Sequence, residues 1–351
     1  MSSDPAAAFG ACPLPIGATD RVQIGHGSGG KLTSELLERM IFPALSNPAL
    51  DARDDHALLS IGGARIAFTT DSYVISPIVF PGGDIGELAV NGTVNDLAVG
   101  GAWPVALSLS FILEEGLLLA DLARVIESVR RASIRVGVPI VTGDTKVVER
   151  GSADRIFINT SGVGVVPAGI ELGSALIRPG DAILVSGTIA DHGIAVMAHR
   201  TGLELGDLAS DTAPLHTLAA ALLGACPEVH AMRDPTRGGL AATLVEIAAR
   251  HRLGIEIDEA AIPIRDPVRG ACELLGLDPL LVANEGKLVA FVPAAAADRA
   301  LASMRAQPLG RHAAYIGSVV ARHPTIVELA TPIGGRRILD LPYAEPLPRI
   351  C

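Results

Sequence analysis

Between Pro167 and Asp181 the chain runs through prolines at 167 and 179 and glycines at 169, 173 and 180, closing on Arg178-Pro179-Gly180-Asp181. So many breakers deny a continuous helix or strand, and the stretch reads as a boundary between two packed domains. The length of 351 residues agrees, because a single hydrophobic core seldom grows that far. Apolar residues make up 49% of the sequence and aromatics only 3%, so the cores are built from Ala, Val, Leu and Ile. That composition favours an α/β mixture over a β-sandwich or a base-stacking platform.

Charge and hydropathy exclude two classes of partner. A net charge of -10 without a Lys/Arg cluster opposes a phosphate backbone, so no nucleic acid is expected. The N-terminus carries Asp4 where a secretion signal needs a cation, and the most apolar run, Trp103 to Leu113, breaks at Glu114-Glu115 short of a span. The expectation is a soluble cytoplasmic protein with no membrane partner. Cys12, Cys226, Cys272 and Cys351 form no CxxC pair, which argues against a zinc knuckle or a disulfide framework. Cys226 and Cys272 read as core residues. Cys351 is the last residue, where a packing role is least expected.

In the first half, a Gly-rich loop at Gly25–Gly30 opens a helix over about 33–42. A strand follows at 65–70, then helices from Asp84 to Val99 and from Asp121 to Val136, and strands at 139–142 and 155–166. Asp84-x-x-Glu87 is a capping signal. In the second half, strands at 183–185, 254–257, 287–292, 312–319 and 325–329 alternate with helices, among them Ala-rich ones and others near Asp266 and Ala294. Prolines at 342, 346 and 348 keep the end extended, and at about 3.1 Å per residue such an arm carries Cys351 on the order of 30 Å.

The spacing Gly25-x4-Gly30-Lys31 nearly spells a P-loop, but Leu32 replaces the magnesium-binding hydroxyl. What survives is either a flexible leader or small residues whose N–H groups approach an anion beside Lys31. Aspartates recur at strand ends and in glycine-flanked turns: Asp54-Asp55, Asp71, Asp96, Asp144 and Asp234. One such residue is commonly a cap or turn; several together suit Mg2+, which takes hard oxygen ligands and neutralises a triphosphate. Glu87, Asn91 and Asn95 share one helix face, toward solvent or a nucleotide. Lys146 and Glu285 are placed in loops beside strands. His192 and His199 read as ordinary core or surface residues.

Five segments, His26-Gly27-Ser28-Gly29-Gly30, Asn95-Asp96-Leu97-Ala98, Gly143-Asp144-Thr145-Lys146-Val147, Asp234-Pro235-Thr236-Arg237-Gly238-Gly239-Leu240 and the ending Pro348-Arg349-Ile350-Cys351, resemble the HypE family of hydrogenase maturation factors, the carbamoyl dehydratases. All but the last are shared with the wider superfamily of aminoimidazole ribonucleotide synthetase, thiamine-phosphate kinase and selenophosphate synthetase. The resemblance implies a synthetase-like α+β/α/β fold and a homodimer whose N-terminal sheets pair into a barrel-like interface. It divides the chain into a disordered leader (1–23), an ATP-binding and dimerisation domain (24–167), a C-terminal α/β domain (178–340) and a flexible tail (341–351). It further implies that HypF loads a carbamoyl group on Cys351, that ATP phosphorylates its oxygen, and that the resulting cyanide passes to iron on HypC–HypD.

Catalysis then falls to Cys351, Lys146 and Glu285. His26, Gly27, Gly29, Gly30, Lys31, Asn91, Asn95 and Arg237 hold the nucleotide, and Asp54, Asp55, Asp71, Asp96, Asp144 and Asp234 hold Mg2+. Two rivals are a superfamily kinase or synthetase on a diffusible substrate, and a non-catalytic dimeric scaffold that docks a partner through its tail.

Overall fold

The computed structural model describes residues 21–343, 347 and 349–351. The expected leader through residue 20, with Cys12, and the tail prolines 346 and 348 lie outside the described residues.

The N-terminal half begins with α1 (Lys31–Leu36), a π-helical turn (Leu37–Ile41) and α2 (Phe42–Leu45). Then come β1 (Ala57–Ile61), β2 (Ala64–Tyr73), the short pair β3 (Val79–Phe80) and β4 (Gly83–Asp84), and α3 (Ile85–Val99). β5 (Trp103–Glu114), α4 (Leu119–Val136), β6 (Ile140–Val148) and β7 (Ile156–Val165) complete it. Five strands form one sheet in the order β1-β2-β7-β5-β6, with β5 and β6 parallel and the other neighbours antiparallel.

Asp84 caps α3, accepting hydrogen bonds from the N–H groups of Gly86 and Glu87 at 2.8 and 3.0 Å. A cap of this kind contributes about 1 kcal/mol. α3 is buried on nearly every side because it lies between the sheet and the second half. Gly92 permits that approach: a Cβ there would stand 2.2 Å from the Tyr73 hydroxyl on β2. α3 and α4 cover one face of the sheet. The other face leaves Leu59, Phe68, Ile112, Val163 and Val165 exposed.

The second half contains β8 (Asp181–Val185), α5 (Asp191–Thr201), α6 (His216–Ala225), β9 (Ala231–Arg233), α7 (Gly239–His251) and β10 (Gly254–Asp258). α8 (Asp266–Leu275), β11 (Val289–Pro293), α9 (Ala297–Arg305), β12 (Ala314–Val320), β13 (Val327–Ala330) and β14 (Arg336–Leu339) follow. Its sheet runs β14-β13-β10-β12-β8-β11-β9. β8 is buried throughout. Its Ile183 and Val185 join a core with Leu240, Leu244 and Ile247 of α7, while Ala182 and Leu184 join one with Leu218 and Leu222 of α6 and Met304 of α9. Helices on both faces explain why this strand reads as a continuous apolar run.

Candidate active site

Where the halves meet, carboxylates from separate elements face one another. Asp71 comes from β2 and Asp96 from α3. Asp54 and Asp55 precede β1, Asp234 follows β9, and Glu285 precedes β11. Thr69 Oγ1, also on β2, donates to Asp96 Oδ2 at 2.7 Å. Arg233 Nε stands 2.7 Å from Asp55 Oδ2. Asp54 Oδ1 accepts from Ser174 Oγ at 2.7 Å.

Burial pushes the carboxyl groups of Asp96 and Asp234 well above the usual range. Like charges add to this, Asp234, Asp71 and Asp55 acting on Asp96, and Asp55 and Asp71 on Asp234. Burial also raises Asp55, against the lowering pull of Arg233 and His56. Among the described residues no three His, Cys, Asp or Glu side chains converge to hold a metal ion alone.

Glu285 is 3% exposed, and burial raises its pKa well above the glutamate value, with Asp71, Asp211 and Asp234 adding to the effect and Arg237 opposing it. Its backbone is fixed on both sides. The N–H donates to Asp211 Oδ1 at 3.0 Å, and the carbonyl accepts from Asn95 Nδ2 at 3.1 Å. Lys287 Nζ donates to the other Asp211 oxygen at 2.9 Å. Oε1 of Glu285 is buried without a hydrogen-bond partner among the described residues, the state of a group aimed at a ligand.

Next to this cluster a cavity of about 1060 Å³ reaches from Asp54, Asp55, Thr69 and Arg233 to Leu37 and Phe42. Its size suits a nucleotide.

The end of the chain is seated beside the segment that follows β2. Val74 N–H donates to a main-chain oxygen of the Cys351 carboxylate at 3.0 Å and Ser76 N–H to the Arg349 carbonyl at 3.3 Å, so the tail runs beside the chain just past β2. Leu347 and Ile350 are buried, Cys351 is partly buried, and all pack in one cluster with Tyr73, Ile75 and Phe80. Arg349 Nη1 pairs with Asp154 at 2.6 Å. A terminus without buried contacts was expected; the apolar pair at 347 and 350 and the open backbone beyond β2 give it a seat instead.

Several expected site residues stand elsewhere. Asp144 and Lys146 lie within β6, not in a loop. Gly143 is a close-approach glycine, since a Cβ there would fall 1.9 Å from the Leu109 carbonyl oxygen of β5. Asp144 pairs with Ser110 and Lys146 with Ile112, which puts both on the sheet face opposite α3, exposed and bonded to each other at 2.7 Å. One chain therefore does not bring Asp144 into the carboxylate cluster.

Asn95 spends its amide on Ala213 O, Glu285 O and Leu215 N, and Asn91 bonds Thr212 and Arg135, so these side chains fasten the halves together. The expected anion loop is likewise engaged. Thr33 Oγ1 accepts from Ser28 and Gly29 N–H, Pro342 and Tyr343 carbonyls accept from Lys31 and Leu32 N–H, and Lys31 Nζ pairs with Asp340 at 2.5 Å. His26 Nδ1 bonds Gln23 N at 3.0 Å. Gly27 and Gly29 meet Arg237, whose Nη1 donates to Gly27 O at 3.3 Å, and Gly30 precedes α1.

The N-terminal domain of AIR synthase related proteins matches residues 53–166, and their C-terminal domain matches residues 178–329. Carbamoyl dehydratase HypE of Azotobacter vinelandii is 54% identical over 331 residues, 94% of this chain and 97% of that protein. The chain belongs to the HypE family. A solved HypE–HypF complex contains a chain 45% identical, with a TM-score of 0.83 over 88% of this chain and 99% of that one. A HypE solved in complex with ATP is 45% identical with a TM-score of 0.80, over 94% of this chain and 100% of that one.

Arg233, Asp211, Lys287 and Tyr73 border the cluster without having been singled out in the sequence, and His192, read there as an ordinary core or surface residue, is held beside the tail. Arg233 adjoins Asp234 in a segment already singled out, so a buried cation beside a carboxylate was the available signal. The others pair over long sequence distances and left none.

Proposed function

We propose that this chain uses ATP to dehydrate a carbamoyl group on its own Cys351 to a thiocyanate, supplying cyanide for the iron of a NiFe hydrogenase. The observation that carries the reading is the seated tail, which holds Cys351 one residue beyond Tyr73 while Tyr73 feels the charges of Asp71, Asp96 and Glu285. In the reaction the carbamoyl oxygen takes the γ-phosphoryl group and leaves as phosphate, both amide protons are lost, and the products are thiocyanate, ADP and phosphate. Glu285, more basic than an exposed glutamate, accepts an amide proton.

Asp55, Asp71, Asp96 and Asp234 would face Mg2+, with Asp54 beside them; the mutual repulsion of these carboxylates and the unpartnered Glu285 oxygen suit a cation. Bound there, the ion neutralises phosphate charge. Arg237 and the loop of His26, Gly27, Gly29, Gly30 and Lys31 close over the nucleotide, with Asn91 and Asn95 as its bracket.

Lys146 and Asp144 act from a second copy. The apolar face of Leu59, Phe68, Ile112, Val163 and Val165 is the surface we assign to a homodimer whose paired sheets form a barrel-like interface. The cavity reaches Phe68 and Thr70 on that same face, which supports a site completed between copies. HypF is assigned as the enzyme that loads Cys351 and HypC–HypD as the acceptor, in the cytoplasm.

Intact-mass measurement of the chain with carbamoyl phosphate, HypF and Mg-ATP tests the reading. The expected sequence is a carbamoyl adduct on Cys351 converting to a cyano adduct; a carbamoyl adduct that persists with ATP present would overturn it.

A further inference from the structure

His192 lies on α5, wholly buried, with its ring edge-on to Phe80 at 5.4 Å between centroids. Its Nε2 is 2.8 Å from the Ile350 carbonyl and its Nδ1 2.7 Å from Ser210 Oγ. A carbonyl only accepts, so Nε2 carries a proton, and in the neutral ring Nδ1 accepts from the serine hydroxyl. Ser210 Oγ in turn accepts the Thr212 N–H at 3.1 Å. Burial lowers the imidazole pKa, with Asp211 and the Ile350 hydrogen bond opposing and Arg200 assisting, so the neutral ring is the favoured form.

The residue between Ser210 and Thr212 is Asp211, which holds the Glu285 N–H and the Lys287 ammonium. The same loop accepts Asn91 Nδ2 at Thr212 and Asn95 Nδ2 at Ala213. One short loop therefore touches the tail through His192 and the Glu285 backbone through Asp211.

We propose that His192 is a positioning residue: it recognises the seated tail by its hydrogen bond to the carbonyl beside Cys351 and, through Ser210 and Asp211, keeps Glu285 in place for the group carried there. The proposal rests on the dehydration reading above. Loading of Cys351 by another enzyme requires the tail to leave its seat, where Ile350 and Leu347 are covered. His192 therefore serves dehydration and not loading. Arg200, which donates through Nε to Ser76 O at 2.5 Å and through Nη2 to Arg349 O, steadies the neighbouring part of the seat.

The test uses full-length protein carbamoylated by HypF, then mixed with Mg-ATP and followed by intact mass in a single turnover. His192→Phe keeps an aromatic ring but loses the donor, and a misplaced reacting group is expected to slow conversion by about tenfold to a hundredfold. The rate of loading and the calorimetric affinity for ATP stay at the wild-type value. Cys351 alkylation by a thiol reagent becomes faster as the tail leaves its seat.

His192→Gln, whose amide nitrogen can stand near the Nε2 position, restores most of the rate. Ser210→Ala, which leaves the ring in place, slows dehydration without slowing loading. The proposal is overturned if His192→Phe converts at the wild-type rate, or if the Phe and Gln variants are equally slow with equally lowered melting temperatures, the mark of a packing role. Wild-type protein that loads but never converts refutes the dehydration reading itself, whatever the variants do.

Discussion

Arg233 Nε lies 2.7 Å from Asp55 Oδ2, a contact between two largely buried side chains that joins the second half of the chain to the loop before β1. Burial works against the arginine charge, yet Asp55, Glu246 and Asp234 hold its pKa above the usual value. Removing the cation leaves Asp55 buried beside other carboxylates. Arg233→Met is therefore expected to cost about 3–5 kcal/mol, read by urea unfolding. The double variant Arg233→Met with Asp55→Asn should recover a large part of that loss. Equal stability of the single variant and the wild type would show that the pair contributes nothing.

A pH dependence follows from Asp96 and Asp234, whose folded pKa values are raised, chiefly by burial. A raised carboxyl binds more protons folded than unfolded from about pH 4 upward, so the stability it contributes is present below its unfolded pKa and is lost as pH rises through the folded value. Without nucleotide or metal, the protein should melt at a higher temperature near pH 5.5 than near pH 7.5. Asp96→Asn keeps an acceptor for Thr69 and removes the titration, so it should flatten that slope and raise the melting point at pH 7.5, while weakening Mg-ATP binding. A slope unchanged in Asp96→Asn, measured by thermal fluorimetry, would remove Asp96 from this account.

Much of this was legible in the sequence because it is local. The Asp84 cap, the extent of α3 and the strand at β8 follow from capping chemistry and continuous apolar runs. The recurrence of aspartates pointed to Asp71, Asp96 and Asp234, although only Asp234 directly follows a strand, Asp71 lying within β2 and Asp96 within α3. β5 was legible only as an apolar stretch, because Trp103–Glu114 is apolar toward α3 and partly apolar toward the open face, which hides the alternation. β6 was cut short at Thr142, since Gly143-Asp144-Thr145-Lys146 has the composition of a turn, whereas the glycine serves contact with Leu109. β1 and β14 also went unread. His192 gave no signal because its partners, Ser210 and the Ile350 carbonyl, are brought to it only by the tertiary fold.

Lys146 and Glu285 stand on opposite sides of the N-terminal sheet within one chain, and this separates two ways of building the site. If Lys146 acts across a homodimer, Lys146→Ala and Glu285→Ala proteins each accumulate the carbamoyl adduct alone. After their subunits are mixed and exchanged, half the dimers are hybrids with one intact site each, so conversion should return to about a quarter of the wild-type rate. A mixture that stays inactive while hybrid dimers are shown to form would place Lys146 outside the partner's site. Ile112→Lys, on the open face, should lower the sedimentation coefficient toward that of a single chain without unfolding it.

The contact between Gly92 and Tyr73 offers a test of how tightly α3 must lie on β2. Gly92→Ala would put its methyl group 2.2 Å from the Tyr73 hydroxyl and 3.1 Å from Cζ, so either the helix lifts or the ring moves. Both neighbours of that ring matter, because Tyr73 packs in the cluster that seats Cys351 and its hydroxyl lies among the charges of Asp71, Asp96 and Glu285. Overpacking of this kind costs about 1–3 kcal/mol, and here a loss of dehydration rate larger than the loss of stability is expected, because the displaced ring borders both the tail and the carboxylates. Tyr73→Phe removes the clashing oxygen and should by itself leave the fold stable. Combined with Gly92→Ala it should recover part of both losses, a coupling that a double-mutant cycle of unfolding free energies and single-turnover rates measures directly. Strictly additive effects of the two substitutions would mean that the ring and the helix do not press on one another, and that the glycine is present for some other reason.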